Sequence, residues 1–243
     1  MADDIRDLRS EHTGTGTLYV AATPLGNLQD ASRRLLQVLS ESDIVLAEDT
    51  RNTHKLMKLL GVPYKRLVSY HEHNETSRTP QVIEWLKQGL DVCLVSDAGT
   101  PLVSDPGYRV VRAARQEGLR VIPIPGPSAA VAGLSVSGLP TDKFLFLGFL
   151  PKRTGKRRSL LEGAKALGVT VVVYVPARSA KTLLEEISEV FGSVDVCLCR
   201  EMTKLHEEYL FGTVLEVRKL LESRESLKGE VTLVIGSKEV GDG

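Results

Sequence analysis

Cysteine is scarce: the 243 residues hold three, Cys93, Cys197 and Cys199. An odd count with Cys-x-Cys spacing fits neither a disulfide framework nor a zinc site. Free thiols suit a reducing compartment, so the expected location is the cytoplasm. Net charge is missing too, because 31 basic residues balance 31 acidic ones. No global field then draws the chain to nucleic acid or membrane, and any polyanion site has to be a local basic patch. No apolar run is long enough to cross a bilayer, so no membrane partner is expected. Met1–Gly16 is charged and lacks the apolar stretch of a signal peptide; it reads as a frayed tail, as does 238–243. Two nucleotide-binding signatures are also absent. Ala22-Thr23-Pro24-Leu25-Gly26-Asn27 holds one glycine where a dinucleotide fingerprint needs several, and no P-loop lysine motif occurs. Conventional NAD and NTP binding lose their main support.

Hydrophobic content of 42% and charged content of 26% are those of an ordinary globular protein with ample core. Short apolar runs alternate with helical patterns through the first half. Strands are expected at Thr17–Ala22, Ile44–Ala47, Arg66–Tyr70, Val92–Ser96 and Val121–Pro125. Helices are expected at about Asp30–Ser40, around Leu56–Leu60, up to Leu86, at Tyr108–Gln116 and from Ala129 to Ser137. Repeated strand–helix units imply a mostly parallel sheet covered on both faces. The polar loops after the strands then gather at the C-terminal edge, where such sheets bind ligands. The pattern changes at Gly138-Leu139-Pro140. Beyond it, Phe144–Leu150 is strongly apolar and ends at Pro151, and strands are expected at Val169–Val175, Val194–Cys199, Glu207–Phe211 and Val231–Ile235. Helices are expected at Lys181–Phe191 and Val214–Leu221, and Lys152–Arg158 reads as a basic loop. The fold class is therefore α/β, with domains at 17–139 and 140–237 that should share a cleft.

Several loops carry candidate chemistry. Leu94–Gly107 (LVSDAGTPLVSDPG) empties a buried strand into a loop of Gly, Pro and Asp. It offers close backbone approach and carboxylates, although one such loop alone is an ordinary strand-to-helix turn. Glu48, Asp49 and Arg51 cluster at the end of a buried strand. They suit orienting or deprotonating a hydroxyl, and equally suit a helix start where acids favour the dipole. Ser128 reads as an N-cap whose helix start also fits a carboxylate. His71 and His73 have an H-x-H spacing but no third ligand at a metal-like distance in sequence, so a solvated strand end is the reading and no metal is expected. Lys152, Arg153, Lys156, Arg157 and Arg158 form the best candidate for contact with a phosphate backbone.

Taken together the loops are specific. Thr23-Pro24-Leu25-Gly26-Asn27-Leu28, Ala47-Glu48-Asp49-Thr50-Arg51, Ser96-Asp97-Ala98-Gly99-Thr100-Pro101, Ser104-Asp105-Pro106-Gly107 and Pro125-Gly126-Pro127-Ser128-Ala129 occur in that order. Phe149-Leu150-Pro151 and Lys228-Gly229-Glu230 follow. From about Gly16 to Ser237 the chain resembles the bacterial 16S rRNA (cytidine 2′-O)-methyltransferases of the tetrapyrrole methylase superfamily. The resemblance implies two α/β domains with S-adenosylmethionine in the interdomain cleft, and a homodimer. It implies that Pro24, Asp97, Ala98, Gly99, Thr100, Ser128 and Ala129 approach the cofactor, with Leu150, Gly229, Glu230 and Val231 closing over the adenosine. It implies 2′-O-methylation of a cytidine ribose in 16S rRNA, with the 30S subunit as the expected partner. Glu48, Asp49 and Arg51 are then the candidates for orienting or activating the hydroxyl.

One stretch departs from the pattern. A Tyr-Glu-Ser-Pro-His-Arg-like run is expected after the strand that starts at Val169, and the chain reads Tyr174-Val175-Pro176-Ala177-Arg178-Ser179. The acid and the histidine are missing. Two rival readings keep the fold: a methylase of a tetrapyrrole-like small molecule, and a non-catalytic S-adenosylmethionine-binding protein associated with the ribosome.

Overall fold

The computed structural model describes residues 14–224 and 226–237. Most of the two expected tails lies outside the described residues. Gly16 is an exception: it is buried, and its N–H donates to Leu86 O at 2.7 Å. A Cβ at that position would stand 1.9 Å from Leu90 O, so the chain enters the sheet here only with a glycine.

The first compact unit ends at Pro127. It contains β1 (Thr17–Ala21), α1 (Arg33–Glu41), β2 (Ile44–Ala47), α2 (Thr50–Leu60), β3 (Leu67–Ser69), α3 (Glu75–Lys87), β4 (Val92–Val95), α4 (Tyr108–Gln116) and β5 (Arg120–Ile124). The strands pair in parallel in the order β3-β2-β4-β1-β5. Strand side chains alternate between two apolar layers. Ile44, Leu46, Val92 and Leu94 join Val82, Leu86, Val110 and Ala114 of α3 and α4. Val45, Ala47, Cys93 and Val95 join Leu35, Val38 and Leu39 of α1 and Met57 of α2. Burial on both faces explains why these strands read as unbroken apolar runs. Cys93 is a core residue, and burial pushes its thiol up to about 12. The chain leaves β2 toward β3 and leaves the neighbouring β4 toward β5, so the connections diverge between β2 and β4. That divergence opens a crevice at the C-terminal ends of these strands.

The second unit begins at Ser128. It contains α5 (Ala129–Ser135), β6 (Phe144–Phe149), α6 (Thr154–Ala166), β7 (Thr170–Pro176), α7 (Ala180–Phe191), β8 (Asp195–Arg200), β9 (Glu208–Thr213), α8 (Val214–Glu222) and β10 (Glu230–Ile235). The order is β6-β7-β10-β8-β9; β6 and β7 are parallel, and the other pairs are antiparallel. Val171, Val173, Val175, Val196, Leu198 and Leu233 face α7 and α8. Val172, Cys197, Cys199 and Val234 face Ala130 and Leu134 of α5. This packing accounts for the division at Pro127 and Ser128, ahead of the sequence-based boundary at 139/140: α5 buries its apolar side on the second sheet. The basic stretch differs as well. Only Lys152 and Arg153 precede the helix, and Lys156, Arg157 and Arg158 stand in the first turns of α6.

Candidate functional site: the loops beyond the parallel sheet

The first unit gathers its loops where the sheet topology requires. Beyond β1 and β4, Thr23 and Gly99 exchange both backbone hydrogen bonds, Thr23 N–H to Gly99 O at 2.9 Å and Gly99 N–H to Thr23 O at 3.1 Å. The buried Thr23 hydroxyl donates to Ser96 O at 3.2 Å. Thr100 Oγ1 donates to Pro127 O at 3.0 Å, which ties the loop after β4 to the loop after β5. Pro24, Asp97, Ala98, Gly99 and Thr100, expected at the cofactor, therefore lie on one cross-braced frame at the crevice. Gly107 shows why the loop ends in glycine. Its φ is +133°, and a Cβ there would meet Leu94 Cδ2 at 2.7 Å and Leu102 Cδ1 at 2.8 Å.

Glu48, Asp49 and Arg51 come together and divide their roles. Asp49 is the N-cap of α2 and accepts from the Arg51 N–H at 2.8 Å. The Arg51 guanidinium closes on the same carboxylate, Nη2 to Oδ2 at 2.6 Å. This guanidinium is the main reason the Asp49 carboxyl is held down at about 2. Such a carboxylate is a poor base near neutral pH. Asp97 braces the cluster by accepting from Asp49 N–H at 3.2 Å and Asn52 Nδ2 at 2.7 Å. Glu48 lies on the other side of the balance. Burial, and then the Asp97 charge, push its carboxyl above the usual range, although the Asp97 N–H donates to it. Asp105 is pushed up to about 6, first by burial and then by Glu48. The Ser96 hydroxyl, beside Asp105, has a single proton and also reaches Gly99 O at 3.3 Å.

Two participants lie outside the expected set. Asp105, on the Leu94–Gly107 loop but not among the candidate site residues, belongs to the carboxylate cluster. His71 is half-buried at the end of β3 and favours the ionised form of Glu48. Asn74 holds it, with His71 N–H donating to Asn74 Oδ1 at 2.9 Å and Asn74 Nδ2 lying 3.2 Å from His71 Nε2. His71 Nδ1 is buried without a protein partner among the described residues. Position at the end of a parallel strand was the available signal. His73 is exposed, as expected of a solvated strand end. Among the described residues no group of three or more His, Cys, Asp or Glu is placed to hold a metal.

The second-unit candidates are held by their own surroundings. Ser128 is the N-cap of α5 but makes no side-chain cap bond. Leu150 packs at the edge of the larger core and Val231 is inside it. Gly229 has φ +97°, and a Cβ there would sit 2.5 Å from the Glu201 carboxylate. That carboxylate accepts from Glu230 N–H at 2.8 Å and Lys204 Nζ at 3.0 Å. In the departing stretch, Val175 occupies the missing acid's position as a core residue, and Arg178 is exposed. In α6, Arg157 makes a two-pronged bond to Glu186 on α7 and donates to Pro151 O and Lys152 O. Arg158 pairs with Glu162 and Glu189. Lys152, Arg153 and Lys156 are exposed, with no ion pair among the described residues.

A model of the tetrapyrrole (corrin/porphyrin) methylases matches residues 17–218. The chain is 45% identical over 221 residues to the ribosomal RNA small subunit methyltransferase I of Halalkalibacterium halodurans, across 90% of this chain and 75% of that one. It is 42% identical over 224 residues to the protein of the same name from Thermotoga maritima, across 92% and 100%. Among solved structures, uroporphyrin-III-C-methyltransferase from Thermus thermophilus superposes with a TM-score of 0.61 at 23% identity, across 91% of this chain and 94% of that one. The last likeness concerns the fold. Two α/β units and these relatives define the class as methyltransferase. The chain belongs to the tetrapyrrole methylase family.

Proposed function

We propose that this protein transfers a methyl group from S-adenosylmethionine to the 2′-oxygen of a cytidine ribose in the 16S rRNA of the small ribosomal subunit. The observation that carries the reading is identity of 40–45% over most of the chain with relatives named as small-subunit rRNA methyltransferases. The site chemistry supports it. Three carboxylates, Glu48, Asp97 and Asp105, share one end of the sheet, and the first and last are held above the usual range. A cluster with that much negative charge favours a cationic ligand, and the sulfonium of S-adenosylmethionine is one. The fit is good in the first unit, where Pro24 and the 97–100 backbone would hold the donor. Ser128, Ala129, Leu150 and the 229–231 stretch are assigned to it by the resemblance.

When bound, the donor would supply an activated methyl group carried on a positively charged sulfur. A ribose hydroxyl is a weak nucleophile near neutral pH and gains from a base at hydrogen-bond reach. Glu48 is the residue suited to accept its proton, because its raised pKa makes the carboxylate more basic than an exposed one. Asp49 and Arg51 neutralise each other and fix the start of α2, which sets the position of Glu48. Holding the ribose oxygen in place for attack is the remaining task of these residues, and such positioning would supply much of the rate. A homodimer, the assembled 30S subunit as substrate and a cytoplasmic location complete the reading.

The test compares 2′-O-methylcytidine in 16S rRNA from a strain with the gene, a deletion strain, and the deletion strain carrying a Glu48→Gln copy. Loss of one modified cytidine in the second and third strains is expected. A deletion strain with an unchanged 2′-O-methylcytidine inventory overturns the assignment.

A further inference from the structure

A groove in the first unit lies outside the carboxylate cluster and begins where that cluster ends. Gly61, in the left-handed region at φ +67°, ends α2 and turns the chain back toward β3. The returning segment borders a groove of about 510 Å³ lined by Arg51, His54, Tyr64, Lys65 and Arg66, with Thr50 and Leu67 between them. None of the lining residues is acidic. Thr50 and Arg51 directly follow Glu48 and Asp49, so the groove abuts the proposed base through the start of α2.

The lining groups differ in how far they are already committed. Arg51 is paired with Asp49, and Lys65 with Asp43 at 2.9 Å. Arg66 has no ion pair among the described residues, and its guanidinium lies 4.8 Å over the Trp85 ring. That stacking fixes the position of the charge while leaving it unneutralised. Tyr64 is exposed, but its hydroxyl is anchored to His54 Nδ1 at 2.9 Å and the two rings meet edge to face. Tyr64 on the α2 side and Arg66 on the α3 side thus flank the start of the edge strand β3, and an anchored, exposed ring with a positioned cation two residues away is a pair of groups suited to an unstacked base and its phosphate.

We propose that this groove seats the single-stranded RNA nucleotide flanking the methylated cytidine, with Arg66 on its phosphate and Tyr64 against its base. The inference rests on the rRNA reading above and places an RNA contact in the first unit, away from the basic stretch at 152–158. The groove then serves to register the strand, so that one ribose of the run meets Glu48.

The test uses the full chain and a fluorescein-labelled single-stranded RNA copied from small-subunit rRNA, with binding read by anisotropy over a range of salt. Arg66→Ala should weaken binding about 5- to 10-fold and make the slope of log K against log salt shallower by about 1, and Arg66→Lys should restore the slope. Tyr64→Ala should weaken binding about 10-fold with the slope unchanged, and Tyr64→Phe should stay within about twofold of wild type. S-adenosylmethionine affinity and the urea midpoint should be those of wild type in every variant, which separates lost contact from lost fold. If Arg66→Ala and Tyr64→Ala bind RNA within about twofold of a wild type that binds and methylates rRNA, the groove is not the site and the function stands. A wild type that neither binds nor methylates small-subunit rRNA overturns both.

Discussion

Asp105 and Glu48 tie the site to the stability of the protein. A carboxyl pushed up to about 6 from an ordinary 3.8 binds its proton more tightly folded than unfolded. Its contribution is therefore fully present below about pH 4 and is lost as the pH rises through about 6. Asp105→Asn removes that loss. The variant should gain stability relative to wild type on going from about pH 4 to about pH 8, read as the difference in urea midpoints at the two ends. An unchanged difference would mean that Asp105 is solvated in solution. Glu48→Gln tests the neighbouring carboxyl differently. The kcat for rRNA should fall about 100-fold or more, with the affinity for S-adenosylmethionine within about threefold of wild type. Asp49→Asn should lower kcat far less, because that carboxylate is held at about 2 by Arg51 and serves as a cap. If the two losses are equal, the cluster works by placement alone and no single base acts. From sequence, Glu48, Asp49 and Arg51 were visible as a group, but not their division of labour. That division depends on which carboxylate is buried and which one meets a guanidinium, and burial is decided by loops distant in sequence.

At the level of elements, the strands of the first unit were legible because burial on both faces leaves near-continuous apolar runs. Ile44–Ala47 and the start of β4 at Val92 stand where the sequence places them. α6 was not legible. Lys152–Arg158 reads as a solvated charge run until Glu186 and Glu189 on α7 are placed beside it. The second sheet's antiparallel order was also hidden, since a buried run such as Val171–Val175 pairs equally well in either direction. The side on which α5 packs depends on a sheet formed later in the chain. The α6–α7 contact gives an experiment. Arg157 and Glu186 are both mostly buried, with 17% and 14% of the side chain exposed. Removing one partner leaves the other's charge stranded, so Arg157→Ala should cost about 2 kcal/mol in urea unfolding. RNA affinity should barely change. Alanine at Lys152, Arg153 and Lys156 together should do the reverse, weakening RNA binding with stability held, because these side chains are exposed and pair with nothing among the described residues. If Arg157→Ala instead loses RNA binding while keeping its stability, Arg157 faces the RNA and the ion pair is not its main use.

For the whole molecule, the informative quantity is a charge balance of zero, 31 basic against 31 acidic residues. A broadly basic protein approaches RNA through many phosphate contacts, and its affinity falls steeply with salt. This chain has no such field and has to rely on cations left uncompensated after internal pairing. Many are used up internally: Arg157, Arg158, Arg200, Lys204 and Arg224 all hold carboxylates. Lys152, Arg153, Lys156 and Arg66 hold none among the described residues, and they fall in the two stretches proposed to meet RNA. Four phosphate contacts on a single strand correspond to a slope of log K against log salt of about −3. Neutralising Lys152, Arg153 and Lys156 should bring it to about −1, and adding Arg66→Ala should bring it close to zero. A wild-type slope steeper than about −6 would require a basic face that these residues do not supply. With so shallow a slope, electrostatics contributes little affinity at physiological salt, and recognition has to come from shape and stacking. That condition favours a folded RNA target over a free strand. Affinity for the 30S subunit should therefore exceed affinity for the excised RNA segment, by a factor that changes little with salt because the same few phosphates are contacted in both.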